Sequence, residues 1–500
     1  MFDARDSHEK NSSNYRYVPI NTPTKFEDSI GFESSGKATS TGLPDMDFEE
    51  EDCLPPLPSN YGTFSRKNSR MRAVISRLPD GTVPPYRAVF LVTNAAFGAG
   101  ILNIPQAYMN AGGLQTAITV QVILLIFVIG AFLIVARCAG KSEASTYQDV
   151  VLFMCGPKAK MIVQVLIIIY FFGSCITYLI IIGEQASKVL TFALNIKTDP
   201  PWYTDRRFLM GIISCTFILP LCIPRRLAVL SYSSFFGGIG ALYITGMIVY
   251  KYFATGFTAA AIHDHSKDNR QANVTSAMAA IPVICFGYQC HVSSVAVYAD
   301  LKNRSMKRFF LVCVAAMVVC TTAYSLCGVF GYLSFGMDTN SDILLNYGAD
   351  DLPANIARAM IVLIIFSSFA IITFCARTAI EDIVLKWWGL GPDEAERHEK
   401  SRRLVETIAW FALTLILAAV IPDIGVAISL IGGIAALFIF VFPGLCLLQS
   451  VNIGLRLLTW KEKTLVLIAC VYIVVGVFIF GENTALALGK DIKIDGRSLF

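Results

Sequence analysis

A chain of 500 residues that is 55% hydrophobic, with a mean hydropathy of +0.58, carries far more apolar sequence than one soluble core can hide. Its net charge of +4 comes without a basic stripe, which sets nucleic-acid binding aside. Most of the fourteen cysteines lie inside apolar runs and no C-x-x-C pair occurs, so a disulfide framework or zinc site is not expected and the class that remains is a polytopic membrane protein.

Residues 1 to about 84 form a polar tail. The acidic run Asp45-Met46-Asp47-Phe48-Glu49-Glu50-Glu51-Asp52 is followed by Pro55, Pro56 and Pro58, then by the basic cluster Arg66-Lys67-Asn68-Ser69-Arg70-Met71-Arg72. Such a segment buries too little apolar surface to fold alone and is expected to be disordered. Met1 to Asn21 has no cleavable signal pattern, so the first span is expected to direct insertion. Tyr15-Arg16-Tyr17-Val18 and Tyr61-Gly62-Thr63-Phe64 have the tyrosine-x-x-bulky form that sorting adaptors read, a form that is frequent by chance.

Eleven apolar runs follow, near 87–111, 114–138, 160–188, 207–223, 228–253, 276–299, 308–335, 355–380, 404–421, 425–449 and 463–488. Lys and Arg concentrate in alternate loops: Arg137/Lys141/Lys158/Lys160, Arg225/Arg226, Lys302/Arg304/Lys307/Arg308, the stretch from Lys386 to Arg403, and Arg456/Lys461/Lys463. The other loops are richer in Asp, at 338, 342, 350, 351 and 423. The positive-inside rule then places the amino-terminal tail in the cytoplasm, and an odd number of spans leaves residues 490–500 as a short luminal or extracellular tail. The transporter domain is expected over 85–489. Asn273-Val274-Thr275 is the one N-x-S/T sequon on the expected outer face, close to the sixth span; those at Asn11 and Asn303 face the cytoplasm.

Two runs are interrupted. The first reads Thr93-Asn94-Ala95-Ala96-Phe97-Gly98-Ala99-Gly100-Ile101-Leu102-Asn103-Ile104-Pro105 and the sixth Ile284-Cys285-Phe286-Gly287-Tyr288-Gln289-Cys290-His291. Glycines two apart, then Asn and Pro, break a helix, and freed backbone groups survive in hydrocarbon only where they line a cavity. The first and sixth runs each open a set of five spans that start on opposite sides. This is expected to be an inverted five-plus-five repeat with an eleventh helix appended, in an all-α membrane fold.

The candidate substrate site is therefore Asn94, Gly98, Ala99 and Gly100 with Phe286, Gly287, Tyr288 and Gln289. Freed amides suit a carboxylate, and freed carbonyls suit an ammonium or sodium ion. A bland reading of the first break is a glycine-mediated helix contact. Ser367 and Ser368, mid-span in the eighth run, would face carbonyls of the first helix near Asn94 and Ala95 and complete an oxygen-lined cation site, although serines often bond back to their own helix. His291 is the proton-coupling candidate; otherwise it is a neutral ring bonded to a carbonyl. Glu184, four positions before Lys188, fits a helix-end pair.

From about Ala88 to Thr484 the chain resembles the solute carrier 38 family, the sodium-coupled neutral amino acid transporters, which implies the LeuT-like inverted five-plus-five fold of the amino acid/polyamine superfamily. Within it the likeness is to the member-seven branch, the glutamine and asparagine transporters of the lysosome. The resemblance rests on Asn94-Ala95 with Gly98-Ala99-Gly100, Thr146-Tyr147-Gln148, the stretch from Leu179 to Gly183, Pro201-Trp202-Tyr203-Thr204-Asp205-Arg206, the stretch from Cys285 to Ser294, Phe374-Cys375-Ala376-Arg377, Ile421 to Gly425, and Phe440 to Leu447. It implies cation-coupled symport of neutral amino acids, glutamine and asparagine foremost, from a late endosomal or lysosomal lumen to the cytosol. In the family the position of Asn94 and a hydroxyl at or next to Ser368 serve the sodium site. Ser where classical members have Thr keeps the oxygen and leaves the coupling ion open between sodium and proton; no cofactor is implied. The rival reading is an amino-acid sensor, or transceptor, whose tail binds signalling partners. An enzyme is set aside because no H-E-x-x-H, G-x-S-x-G or paired intramembrane aspartates appear.

Overall fold

The computed structural model describes residues 81–196, 201–223, 233–254, 274–388, 399–421, 424–451 and 459–492, all within one compact unit, Arg66–Phe500. The expected disordered tail, save for 81–84, its sorting patterns, Asn273 of the sequon and residues 493–500 of the expected carboxy-terminal tail lie outside the described residues, while 490–492 continue the last helix.

The described residues are almost wholly helical. The chain enters at α1, Pro85–Ala96, with Pro85 at the first helical position, where its missing N–H costs nothing. The helix ends because Phe97 turns to an extended ψ of 114°; it restarts as α2, Gly100–Asn110, bent by 60° from α1. Then come α3 (Leu114–Ser142), the short α4 (Tyr147–Cys155) and α5 (Pro157–Ala193). Thr146 caps α4 by accepting from Asp149 N, and Asp205 caps α6 (Arg206–Ile213) by accepting from Arg207 N and Phe208 N. A π turn, Ser214–Ile218, carries the chain into α7, Leu219–Cys222.

Next are α8 (Ser233–Ala254), α9 (Val274–Tyr288), α10 (His291–Ala299) and α11 (Met306–Phe335). The remainder is α12 (Leu352–Trp388), α13 (Glu399–Val420), α14 (Ile424–Ala436), a π turn, α15 (Phe442–Ser450) and α16 (Trp460–Ile492).

Among the described residues, eight helices are long and apolar enough to cross a membrane, and the bent pair α1–α2 makes up to nine such spans. Of the expected fourth run the described residues form pieces of eight, five and four residues, and of the fifth they form the 22-residue α8. Ile118, Val122 and Ile126 on α3 and Leu467, Val471, Val474 and Phe478 on α16 are exposed, at spacings of three or four residues. An outward apolar stripe of this kind is stable in lipid and costly in water.

Both interrupted helices are held at the same end. Val83 N donates to Asp300 O at 2.9 Å, and Lys302 N donates to Val83 O at 2.8 Å. This bridge ties the segment leading into α1 to the segment leaving α10, and burial pushes the Asp300 carboxyl above the usual range.

Candidate functional site

The first break leaves donors without partners. Phe97 N still reaches Thr93 O at 2.8 Å, but the N–H groups of Gly98, Ala99 and Gly100 donate to no group among the described residues. They crowd the amino end of α2, where the helix dipole adds partial positive charge. The second break falls at Gln289–Cys290, two residues past Gly287, so Gly287 is still helical. Cys290 N folds back onto Tyr288 O at 3.0 Å, and α10 begins with its first amides likewise free among the described residues.

The two breaks touch. A Cβ placed on Gly100 would stand 2.8 Å from Gly287 Cα and 3.4 Å from its nitrogen, so these two glycines allow one backbone to lie directly on the other. Asn94 lies against α8, where a Cβ on Gly237 would collide with its Oδ1. Ala95 is exposed.

The freed acceptors are met by α11. Tyr324 Oη lies 2.8 Å from Ala96 O and 2.9 Å from Gly287 O, so one hydroxyl spans both breaks. One turn before it, Cys320 Sγ lies 3.9 Å from Thr93 O, a carbonyl that Phe97 N already engages. One turn after it, Cys327 Sγ donates to Ile101 O at 3.3 Å. Pro105 explains the last contact: lacking an N–H, it cannot bond the carbonyl four residues back, which is that of Ile101. Cys320, Tyr324 and Cys327 thus form one face of α11 fitted to the interrupted helices.

A second polar cluster lies behind Tyr288. Its hydroxyl donates to Thr321 Oγ1 at 2.9 Å and accepts from Gln121 Nε2 at 2.9 Å. Gln121 Oε1 accepts from Tyr108 Oη at 2.6 Å, and its amide also donates to Ser325 Oγ at 3.1 Å. Buried polar groups are tolerated when they are satisfied in this way. Of the predicted substrate residues, the structure brings Gly98, Gly100, Phe286 and Gly287 together, and turns the Tyr288 side chain into this cluster. Phe286 packs near Tyr170, with ring centroids 6.2 Å apart.

His291 is fully buried and stacks on Phe132 at 4.0 Å. Its Nε2 lies 3.1 Å from Val128 O, its Nδ1 3.1 Å from Gln289 Oε1, and Gln289 Nε2 has no partner. Exchanging the two ends of the Gln289 amide satisfies both ring nitrogens of a neutral imidazole, because Nε2–H then donates to Val128 O and the amide donates to Nδ1; the other end of the amide is unpartnered among the described residues either way. Ser368 is half-buried on α12 and makes no hydrogen bond to Asn94 or Ala95; the side chain of Ser367 lies outside the described residues. Glu184 binds Arg206 Nη1 at 3.1 Å, joining α5 to α6.

Three residues that a sequence pattern did not single out belong to this site. They are Tyr324, Gln121 and Tyr178, whose hydroxyl stands 3.1 Å from where a Cβ on Gly98 would be and makes no hydrogen bond among the described residues. Tyrosine and glutamine inside apolar spans were the available signal.

Residues 82–485 match the family described as transmembrane amino acid transporter protein. The chain is 40% identical over 423 residues to sodium-coupled neutral amino acid transporter 7 of Xenopus laevis, covering 84% of this chain and 92% of that protein. It is 39% identical to the human protein of the same name, covering 83% and 90%. With human solute carrier family 38 member 8 it shares 34% identity over 81% and 94%. Among solved structures it is similar to that of MhsT in complex with L-phenylalanine, with a TM-score of 0.51 and 12% identity, covering 79% of this chain and 98% of that one. That likeness concerns the fold, and it is of the LeuT type.

Proposed function

This chain belongs to the transmembrane amino acid transporter family, and we propose that it moves small neutral amino acids, glutamine and asparagine foremost, by cation-coupled alternating access around the two broken helices. The observation that carries this reading is the set of free amides at Gly98, Ala99 and Gly100, facing a second broken helix across the Gly100–Gly287 contact. Three converging N–H groups at a helix amino end suit the substrate carboxylate, and the unbonded Tyr178 hydroxyl beside Gly98 adds a fourth donor. Gln289, with one end of its amide on His291 and the other unpartnered among the described residues, stands at the other break. Its contribution is to read a polar side chain such as a carboxamide.

The architecture is read as eleven spans, ten of them in an inverted repeat. The placement of the two breaks at the first and sixth runs and the LeuT-type neighbour support it. Sodium is the coupling ion favoured by the names of the relatives, with Asn94 and Ser368 as its ligands. His291, held by two hydrogen bonds and a stacked ring, is better suited to fixing the α10 amino end than to carrying a proton. The lumen-to-cytosol direction and the late endosomal or lysosomal membrane follow the branch resemblance.

The test is uptake of radiolabelled glutamine into proteoliposomes under an imposed sodium gradient, then under a proton gradient. Sodium-driven uptake that Asn94→Ala abolishes is the expected result. Uptake driven by protons alone and lost in His291→Gln would overturn the sodium assignment. Glutamine binding without flux under either gradient would overturn transport itself.

A further inference from the structure

The loop between α11 and α12 lies at the end of α11 opposite Lys302, Lys307 and Arg308, and it holds a carboxylate that the transport reading does not use. Asp342 is fully buried and begins a short 3₁₀ turn, Ile343–Asn346. Its Oδ1 accepts from Leu344 N at 3.0 Å, and its Oδ2 accepts from Gln185 Nε2 of α5 at 2.5 Å. The next residue back, Ser341, accepts at its carbonyl from Asn103 Nδ2 of α2 at 2.7 Å. The loop is thereby fastened at once to the outer half of the first broken helix and to α5.

On the other side, Arg358 of α12 is fully buried and gives its guanidinium to the carbonyls of Leu344, Tyr347 and Gly348 and to Asn355 Oδ1. It holds the loop backbone and makes no ion pair with Asp342. The buried Asp342 carboxylate therefore accepts from one side-chain amide and one backbone amide, with the Arg358 charge acting on it without direct contact, a poor exchange for water. Gln185 Oε1, at the same contact, is buried without a partner. Proton addition to Asp342 removes the buried charge and supplies a donor that Gln185 Oε1 lacks. Rotating the Gln185 amide lets a protonated Oδ2–H donate to Oε1, while Oδ1 keeps Leu344 N.

We propose that Asp342 is a proton-binding latch: protonation from the outer face seats the 339–351 loop on α2 and α5, and loss of the proton releases it. The other ionisable groups facing the site are few. Arg358 comes from α12, Cys327 from α11, and Tyr347 and Asp351 from the loop, with Asp351 paired to Lys251 Nζ of α8. On α5, Glu184 is bonded to Arg206, and on α2 the one ionisable group, Tyr108, is bonded to Gln121. Burial pushes the Asp342 carboxyl up to about 6, inside the interval between an acidic compartment and neutral solution. The proton returns to the side it came from when the loop leaves, so the latch regulates closure of that face and adds no proton to the transported charge. The transport reading enters only where flux is measured.

The test is hydrogen–deuterium exchange of residues 339–351 in the purified full-length protein in nanodiscs, from pH 4.5 to 8, corrected for intrinsic exchange. Expected are wild-type protection that falls as pH rises through about 6, and an Asp342→Asn loop that stays protected throughout, since Asn carries the donor of the protonated form. Gln185→Leu removes a donor to the carboxylate and should move the wild-type midpoint to higher pH. Exchange that is pH-independent in wild type, or identical in wild type and Asp342→Asn, overturns the proposal. If Asp342→Asn is loose throughout its spans, the Gln185→Leu midpoint decides: an upward shift supports the latch and an unmoved midpoint overturns it. Because exchange needs no substrate, failure of transport and failure of the latch are read separately; in proteoliposomes, the latch alone predicts that Asp342→Asn flattens the outer-pH profile of uptake.

Discussion

Replacing Tyr324 with phenylalanine removes one oxygen and little else. The ring keeps its edge contacts with Phe97 at 5.8 Å and Tyr288 at 5.3 Å, so no cavity larger than a hydroxyl opens. What goes is the donor standing 2.8 Å from Ala96 O and 2.9 Å from Gly287 O. A buried acceptor that loses its partner costs about 1–3 kcal/mol. One proton shared between two carbonyls puts the loss near the middle of that range, about 2 kcal/mol, or about 30-fold in an equilibrium. If both bonds persist through the transport cycle, the loss appears as a lower melting temperature with unchanged kinetics. If the hydroxyl spans both breaks in one conformation only, it appears as about 30-fold in the relative population of that conformation, and so in the maximal rate or KM of glutamine uptake. Thermal unfolding in detergent, with uptake kinetics in proteoliposomes, distinguishes the two. A Tyr324→Phe protein with wild-type melting, maximal rate and KM would refute the idea that α11 holds the broken helices by this hydroxyl.

Other consequences are as concrete. Gly100→Ala puts a methyl 2.8 Å from Gly287 Cα, and since backbone must yield, overpacking of about 1–3 kcal/mol and loss of uptake are expected, read by melting and flux together. Gly237→Ala drives a methyl into Asn94 Oδ1; a raised sodium concentration for half-maximal uptake, with the glutamine KM at saturating sodium less affected, is expected from sodium titrations. Gln121→Leu strips the Tyr108 and Tyr288 hydroxyls of their shared partner and should lower stability by about 2 kcal/mol in denaturation assays. For pH, the folded protein holds Asp342's proton up to about 6, whereas the unfolded chain loses it near the ordinary 3.8. The native state binds more protons between these values, so this contribution is full below about 4 and is lost as pH rises through about 6. It amounts to about 3 kcal/mol and is checked by the pH dependence of melting in wild type less that in Asp342→Asn.

The sequence by itself determined the class of protein and where its helices fail. Long apolar runs have one stable form in a bilayer, and Gly98, Gly100 and Pro105 each remove something a helix needs, so the break in the first run was legible from local chemistry. The second break was legible only to within a few residues. Gly287 marked it, yet Gly287 stays helical because its role is to admit Gly100, a partner 187 positions away that no local pattern names. Tertiary structure alone decided what satisfies the freed groups. The spacing of Cys320, Tyr324 and Cys327 along α11 is ordinary for a helix face, and it acquires meaning only when the carbonyls of Thr93, Ala96, Ile101 and Gly287 are laid against it. The same holds for Asp342. In the sequence it is one of several aspartates in an outer loop; in the fold it is enclosed by α5, α11 and α12, because burial is a property of what surrounds a residue and no single segment encodes it.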